Sequence, residues 1–266
     1  MSQYKIEAGT GQHIGDRQEQ QDRTALFAAP HAPGYVMAVI ADGMGGKSGG
    51  ALAAEQVVRT AKQLFDEFYP GNNVRSLLEN IVNEAHTVIK LSGVSSEKEP
   101  HSTVVALVIT PQQEAIWAYV GDSRLYRFDG PNYAEKTKDH SYVEKLVDEG
   151  KITAEEAKTH RLSNILVNVL GSSTAAPYIT FGEHAPLKAH DSFLLCSDGL
   201  WHYFEDHELS AAVAANSPRQ ASEFLIRKAR DRASGRGDNC TFAIVKLVDP
   251  PTQAKTYTVQ KMRRAV

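Results

Sequence analysis

Cysteine is scarce in this chain. Its 266 residues include two, Cys196 and Cys240. Two thiols make no disulfide framework, and they do not stand at zinc-type spacing. A reducing compartment is the simple expectation. Net charge is also small, -3 from 29 basic and 32 acidic side chains. That is too mild to draw the chain to nucleic acid or a membrane surface by bulk electrostatics. No run approaches the roughly 20 apolar residues of a membrane span. The opening MSQYKIEAGT has no apolar signal region, and there is no internal repeat. A cytoplasmic protein with no nucleic-acid partner and no membrane span is expected. A chain of this size buries roughly three quarters of its unfolded surface on folding, so it needs no covalent staple.

The stretch Val36 to Gly50, VMAVIADGMGGKSGG, organises what is present. It starts as a continuous apolar run, the mark of a strand buried on both faces. The run stops at Asp42. A carboxylate at the end of a buried strand is costly unless something positive meets it. Gly43, Gly45, Gly46, Gly49 and Gly50 then let the backbone turn tightly, and a helix follows. Three readings compete. A phosphate-binding P-loop would close on Gly46-Lys47-Ser48, but it wants glycine where Ala41 stands. A nucleophile elbow would use Ser48, but five residues separate the strand end from Gly46. The third reading makes Asp42 a metal ligand, with glycines letting backbone carbonyls crowd in.

The rest of the chain supplies the context. Tyr4 to Thr10 and Thr24 to Ala29 read as strands flanking a polar loop with Arg17 and Asp22. Ala51 to Phe68 and Val74 to Leu91 repeat apolar residues at helical spacing. Thr103 to Thr110, Ala115 to Val120 and Ser123 to Phe128 are strand-like, and their short connections predict an antiparallel meander. Asp139 to Gly150 and Thr153 to His160 read as short helices, the second opened by a Thr153/Glu156 capping box. Arg161 to Gly171 is ambiguous, and the whole region reads as a mobile edge insertion. Ser192 to Cys196 is a buried strand ending in Asp198. Glu205 to Ala215 and Pro218 to Ala233 read as helices, and Cys240 to Val248 as the last strand. Asp249-Pro250-Pro251 closes the domain, leaving 249–266 as a basic C-terminal tail, an arm without fixed structure or one that packs on a partner.

Four acids stand in equivalent places. Asp42 and Asp198 follow buried strands, Asp122 sits at a strand turn and Asp238 precedes a strand; Asp22 lies in the first loop. One such acid is commonly a cap or a salt-bridge partner. Several converging carboxylates raise one another's pKa and oppose folding. Divalent cations remove that conflict, and all-oxygen ligands favour Mg²⁺ or Mn²⁺ over Zn²⁺. Arg17, near Asp22, suits a two-pronged grip on phosphate. The remaining histidines and both tryptophans read as surface or core residues, and the two cysteines as buried, inert thiols.

These residues, in this order, resemble the metal-dependent serine/threonine protein phosphatases of type 2C, the PPM family, and their bacterial branch in particular. The motifs are Arg17-Gln18-Glu19-Gln20-Gln21-Asp22, Ala41-Asp42-Gly43-Met44-Gly45-Gly46, Ser102-Thr103, Val120-Gly121-Asp122-Ser123-Arg124, Asp139-His140-Ser141, Leu195-Cys196-Ser197-Asp198-Gly199-Leu200-Trp201 and Asp238-Asn239. The likeness spans about residues 4 to 248 and implies one phosphatase domain over 1–248. The implied fold is α+β, a four-layer α-β-β-α sandwich of two antiparallel sheets flanked by helices, with a flap at about 139–171. The implied cofactors are Mn²⁺ or Mg²⁺, two per subunit, with a third, weaker site. Asp42 would bridge both ions, with the Gly43 carbonyl on the second. Asp198 and Asp238 would hold the first, Asp22 would act on the second through water, and Asp122 would help bind the third. Arg17 would bind phosphate. A water bridging the two ions would attack phosphorus, with no phosphoenzyme. The implied partners are phosphoproteins and a Ser/Thr protein kinase whose work the enzyme opposes; a monomer is expected. Met44 stands where some relatives have a histidine, so the proton donor is unassigned among a metal-bound water, Lys47 and His140.

Overall fold

The structure, a computed structural model, describes residues 4–45, 49–93 and 99–250. The chain opens with β1 (Lys5–His13), β2 (Arg23–Ala28), β3 (Val36–Ala41) and the two-residue β4 (Gly43–Met44). Helices α1 (Gly49–Asp66) and α2 (Val74–Gly93) follow. Next come β5 (His101–Ser102), β6 (Val104–Ile109), β7 (Ala115–Val120), β8 (Arg124–Asp129) and β9 (Asn132–Lys136). Short helices α3 (Tyr142–Asp148) and α4 (Ala154–Lys158) lead to β10 (Thr180–His184) and β11 (Asp191–Cys196). The chain then runs through α5 (Asp198–Trp201), α6 (Asp206–Ala215), α7 (Pro218–Ala233) and β12 (Cys240–Val248).

Two five-stranded antiparallel sheets form, in the orders β1-β12-β11-β8-β9 and β10-β7-β6-β3-β2, with β4 and β5 as a separate ribbon. Side-chain alternation along the strands builds three apolar clusters between the four layers of structure. On β3, Met37, Val39 and Ala41 pack with α1 and α2, while Ala38 and Ile40 turn to the other sheet. Between the sheets lie Val105, Leu107, Trp117, Phe193, Leu195 and Val245. On the far side, Tyr126, Phe128, Leu194, Phe242 and Ile244 meet Leu209, Val213 and Leu225 of α6 and α7. Strands covered on both faces need apolar residues at every position, which is why β3, β6 and β7 read as unbroken runs. Each large side chain buried this way contributes about 1.5–3 kcal/mol. The expected four-layer α-β-β-α architecture is the observed one.

The local signals explain the helix ends. Ser217 accepts from the Gln220 N–H while the Gln220 side chain reaches back, Pro218 opens α7, and Ser234 ends it in the left-handed region. The Thr153/Glu156 box is present at α4. The half-buried Lys246 donates from Nζ to the carbonyls of Val213 and Asn216, both at 2.6 Å, closing α6.

The meander is corrected. β6 and β7 pair antiparallel, but β8 pairs with β11 and β9, in the other sheet. The short link through Gly121 (φ +107°) therefore crosses between sheets rather than turning within one. A short connection excludes a parallel partner, but it does not require the two strands to be partners at all. The expected edge insertion at 139–171 is also more firmly rooted than its composition suggests, because His140 and Asn168 are buried within it.

Candidate functional site

Strand register gathers the acids. In the first sheet Cys196 faces Arg124 on one side and Phe242 on the other, and Cys240 faces His13. In the second sheet Arg23 faces Ala41, Ile40 faces Val105, and Val104 faces Val120. The Val120 to Arg124 crossover joins these two rows, so both belong to one end of the sandwich. Asp22 precedes Arg23, Asp42 follows Ala41, and Asp122 lies in the crossover. Asp198 is two residues past Cys196, and Asp238 two before Cys240. All five acids, and Gly43 beside Asp42, come to this end.

Their fields overlap. Burial first, then the charges of Asp22, Asp198, Asp122 and Asp238, holds the Asp42 carboxyl well above the usual carboxylate range. Asp22 is 1% exposed. Burial pushes it up to about 7, with Asp198 adding to the rise and a 2.7 Å hydrogen bond from Ser197 Oγ opposing it. Asp198 is likewise pushed up to about 7, by burial and then by Asp238. Asp122 is raised by burial, Asp198 and Asp139. Among the described residues, no three His, Cys, Asp or Glu side chains already stand as a closed ligand set for one ion. The acids form a neighbourhood joined by charge. The donors are hard oxygens, and every raised carboxylate here would be returned to its anion by a divalent cation, so the residues fit Mg²⁺ or Mn²⁺.

The backbone around Asp42 is built tightly. Its N–H donates to Thr103 Oγ1 at 3.0 Å, and its carbonyl accepts from the Thr103 N–H at 2.9 Å and from Ser102 Oγ at 3.1 Å. A Cβ at Gly43 would lie 2.0 Å from the Gly50 carbonyl oxygen and 2.7 Å from that of Gln21, so only glycine fits. Asn239 locks the Arg17 loop to β12: its Oδ1 accepts from the Gln21 N–H (2.7 Å), and its Nδ2 donates to the carbonyls of Ile14 (2.8 Å) and Glu19 (3.0 Å). Arg17 itself stands exposed at the rim, with NH2 2.5 Å from Asp238 Oδ2.

Sequence reasoning left several neighbours without roles. Arg124 makes a two-pronged ion pair with Asp139, Nε to Oδ1 and NH2 to Oδ2 both at 2.8 Å, and donates from NH1 to Tyr126 OH at 3.1 Å. Its guanidinium lies 3.5 Å from the ring centroid of Trp201, whose indole N–H donates to the Asp122 carbonyl at 3.0 Å. Trp201 therefore belongs beside the acids rather than to an anonymous core. The Val120-Gly121-Asp122-Ser123-Arg124 and Asp139-His140-Ser141 motifs carried the signal, and nothing in their spacing says that they pair.

His140 is a structural hub. Its Nδ1 accepts from the Gly121 N–H (3.1 Å) and from Asn168 Nδ2 (2.8 Å), while Nε2 faces Thr180 Oγ1 at 3.0 Å. The ring stacks on Tyr119, centroids 4.8 Å apart, and burial pushes its pKa down to about 4. Both ring nitrogens are thus engaged, and the imidazole ties the root of the flap to the Gly121 crossover and to Thr180. Lys47 and Ser48 lie outside the described residues. Tyr119, Lys138, His140, Glu144 and Tyr178 line a cavity of about 340 Å³ at the flap. Cys196 and Cys240 are buried free thiols; burial pushes Cys240 up to about 12 and raises Cys196 too, as expected for inert sulfhydryls.

The family profile described as protein phosphatase 2C matches residues 9–225. Over 221 residues the chain is 30% identical to the serine/threonine protein phosphatase PstP of Mycobacterium tuberculosis, covering 81% of this chain and 41% of PstP. It thus spans less than half the length of that relative. The structure superposes on the serine/threonine phosphatase of S. agalactiae with a TM-score of 0.83 and 27% identity, covering 92% of this chain and 100% of that one. It also superposes on the catalytic domain of PstP in complex with two manganese ions, with a TM-score of 0.76 and 27% identity over 92% of this chain and 99% of that one. With the profile matched over most of its length, the chain belongs to the protein phosphatase 2C family.

Proposed function

We propose that this chain is a protein serine/threonine phosphatase that hydrolyses phosphoserine and phosphothreonine with two Mn²⁺ or Mg²⁺ ions, and with a third held more weakly. The observation that carries the reading is the meeting of Asp22, Asp42, Asp122, Asp198 and Asp238 with Arg17 at one end of the sandwich. Asp42, Asp198 and Asp238 would hold the first ion. Asp42 and the Gly43 carbonyl would hold the second, with Asp22 supporting it, and Asp122 would help hold the third. Bound there, the ions would lower the pKa of a coordinated water and neutralise charge around phosphorus.

The chain's own groups do the rest. Arg17 has 62% of its side chain exposed and a single acidic partner, so its fork is free to turn onto phosphate oxygens. Buried Asp22 and Ser197 fix the floor beneath. Water attacks phosphorus, the new P–O bond replaces the old one, and the serine or threonine alkoxide leaves and takes up a proton. No side chain acts as nucleophile.

The catalytic unit is 1–248, with 249–266 as a basic tail; residues from 251 onward lie outside the described structure. The substrates are phosphoproteins made by a Ser/Thr protein kinase. No helix among the described residues is long and apolar enough to cross a membrane. Two free buried thiols suit a monomer working in the reducing cytoplasm. The test is turnover of p-nitrophenyl phosphate and of a phosphothreonine peptide with Mn²⁺, with EDTA, and for Asp42→Ala. Activity is expected only with metal and an intact Asp42; turnover that survives either change overturns the mechanism.

A further inference from the structure

We propose that Arg124 is a positioning residue for Asp122 and that it sets the affinity of the weakest cation site at this end of the molecule. The inference rests on the reading that Asp122 helps hold a third ion. Three stretches meet at this guanidinium. Asp122 is two residues before it in the sheet-to-sheet crossover. Asp139, at the root of the flap, takes both prongs at 2.8 Å. Trp201, the last residue of the one-turn helix that begins with Asp198, supplies the ring face 3.5 Å away. The same indole donates to the Asp122 carbonyl at 3.0 Å.

The chain of contacts therefore runs from Asp198 along α5 to Trp201, from Trp201 to the Asp122 backbone, and from Trp201 through Arg124 to Asp139. Asp122 and Asp198 lie on different strands' ends, and this stack fixes the spacing between them. The pair is well enclosed, with 16% of the Arg124 side chain and 11% of the Asp139 side chain exposed. Both prongs and the planar face are in use, so the position calls for a guanidinium; the point charge of a lysine satisfies neither geometry. Asp42 and Asp238 are held by other contacts, through Thr103 and Asn239, and the start of α5 at Asp198 is tied to β12 by the Ser197 N–H on the Thr241 carbonyl at 2.9 Å. Loss of the stack should loosen one cation site and spare the others.

The experiment is calorimetric titration of the metal-stripped 266-residue chain with Mn²⁺, for wild type, D122A, R124K and D139N, after circular dichroism has shown each to be folded. The wild type is expected to show a tight and a weak class of sites, and D122A the tight class alone. R124K and D139N should weaken the weak class about tenfold or more and leave the tight class unchanged. If R124K does not fold, D139N, which keeps the side-chain volume and the arginine, decides. A weak class in R124K and D139N indistinguishable from wild type overturns the inference, and so does a parallel loss in both classes, which marks a purely structural role. If wild type and D122A titrate alike, the third-ion reading itself fails and the inference falls with it.

Discussion

Two arginine–aspartate pairs flank the same acids and differ in almost everything but chemistry. At the rim, Arg17 touches Asp238 through one nitrogen, with 62% and 36% of the two side chains exposed. At the floor, Arg124 grips Asp139 with two, at 16% and 11% exposure. An exposed single contact is worth little and exchanges readily with water or another anion. A desolvated fork is costly to break, because either partner left alone is an unpaired buried charge. The fold thus leaves one guanidinium exposed in a single contact and encloses the other in a fork.

The sharpest way to break this contrast is Arg124→Met. It should destabilise the protein by about 3–5 kcal/mol, read from urea denaturation at pH 7, because Asp139 is stranded. A loss below about 1 kcal/mol would put the two pairs in one class. His140 probes the same floor. Its imidazole stays neutral until about pH 4, whereas an unfolded histidine takes up its proton near 6.5. The unfolded state therefore binds more protons between those values, and His140's contribution is present above 6.5 and lost as pH falls to about 4, some 3 kcal/mol in all. Asp22 and Asp198, raised to about 7, act in the opposite sense. The difference between wild type and His140→Gln across pH 7 to 4.5 isolates the histidine; parallel curves would refute its share.

At the rim, Arg17→Ala should leave stability within about 0.5 kcal/mol. Phosphopeptide kcat/KM should fall about 100-fold, roughly 2.7 kcal/mol of lost transition-state binding. An unchanged kcat/KM would deny Arg17 the phosphate. The smallest effect separates geometry from burial. Arg232 also grips Glu208 with two prongs, but with 39% and 33% of the side chains exposed. Glu208→Gln keeps the helix cap and should cost about 0.5 kcal/mol by thermal denaturation. A loss matching that of Arg124→Met would make the fork, not burial, the deciding feature.

Much of this arrangement was legible in the residues. Strands covered on both faces announce themselves as apolar runs, and β7, α7 and β12 fall where their patterns place them. The elements that escaped are short or carry mixed patterns. β4 and β5 have two residues each, β9 is a polar edge strand, and β10 is the outer strand of its sheet. One-sided or two-residue strands have too few buried positions to leave a period. The acids were found because a carboxylate closing an apolar strand is conspicuous. Arg124 and Asp139 were noticed only as parts of motifs and their pairing was not, since a charged pair separated by 15 residues looks like two solvated side chains.

What the linear chain settled by itself was the kind of strand, the position of each terminal acid and the family these share, because local pattern and residue type carry that information. Which sheet a strand joins was decided only in three dimensions. The link at Gly121 is as short as a hairpin, and nothing local distinguishes a turn from a step across the sandwich. That step brings the ends of two sheets together. It makes neighbours of carboxylates scattered from residue 22 to residue 238, and it puts a buried guanidinium beneath them.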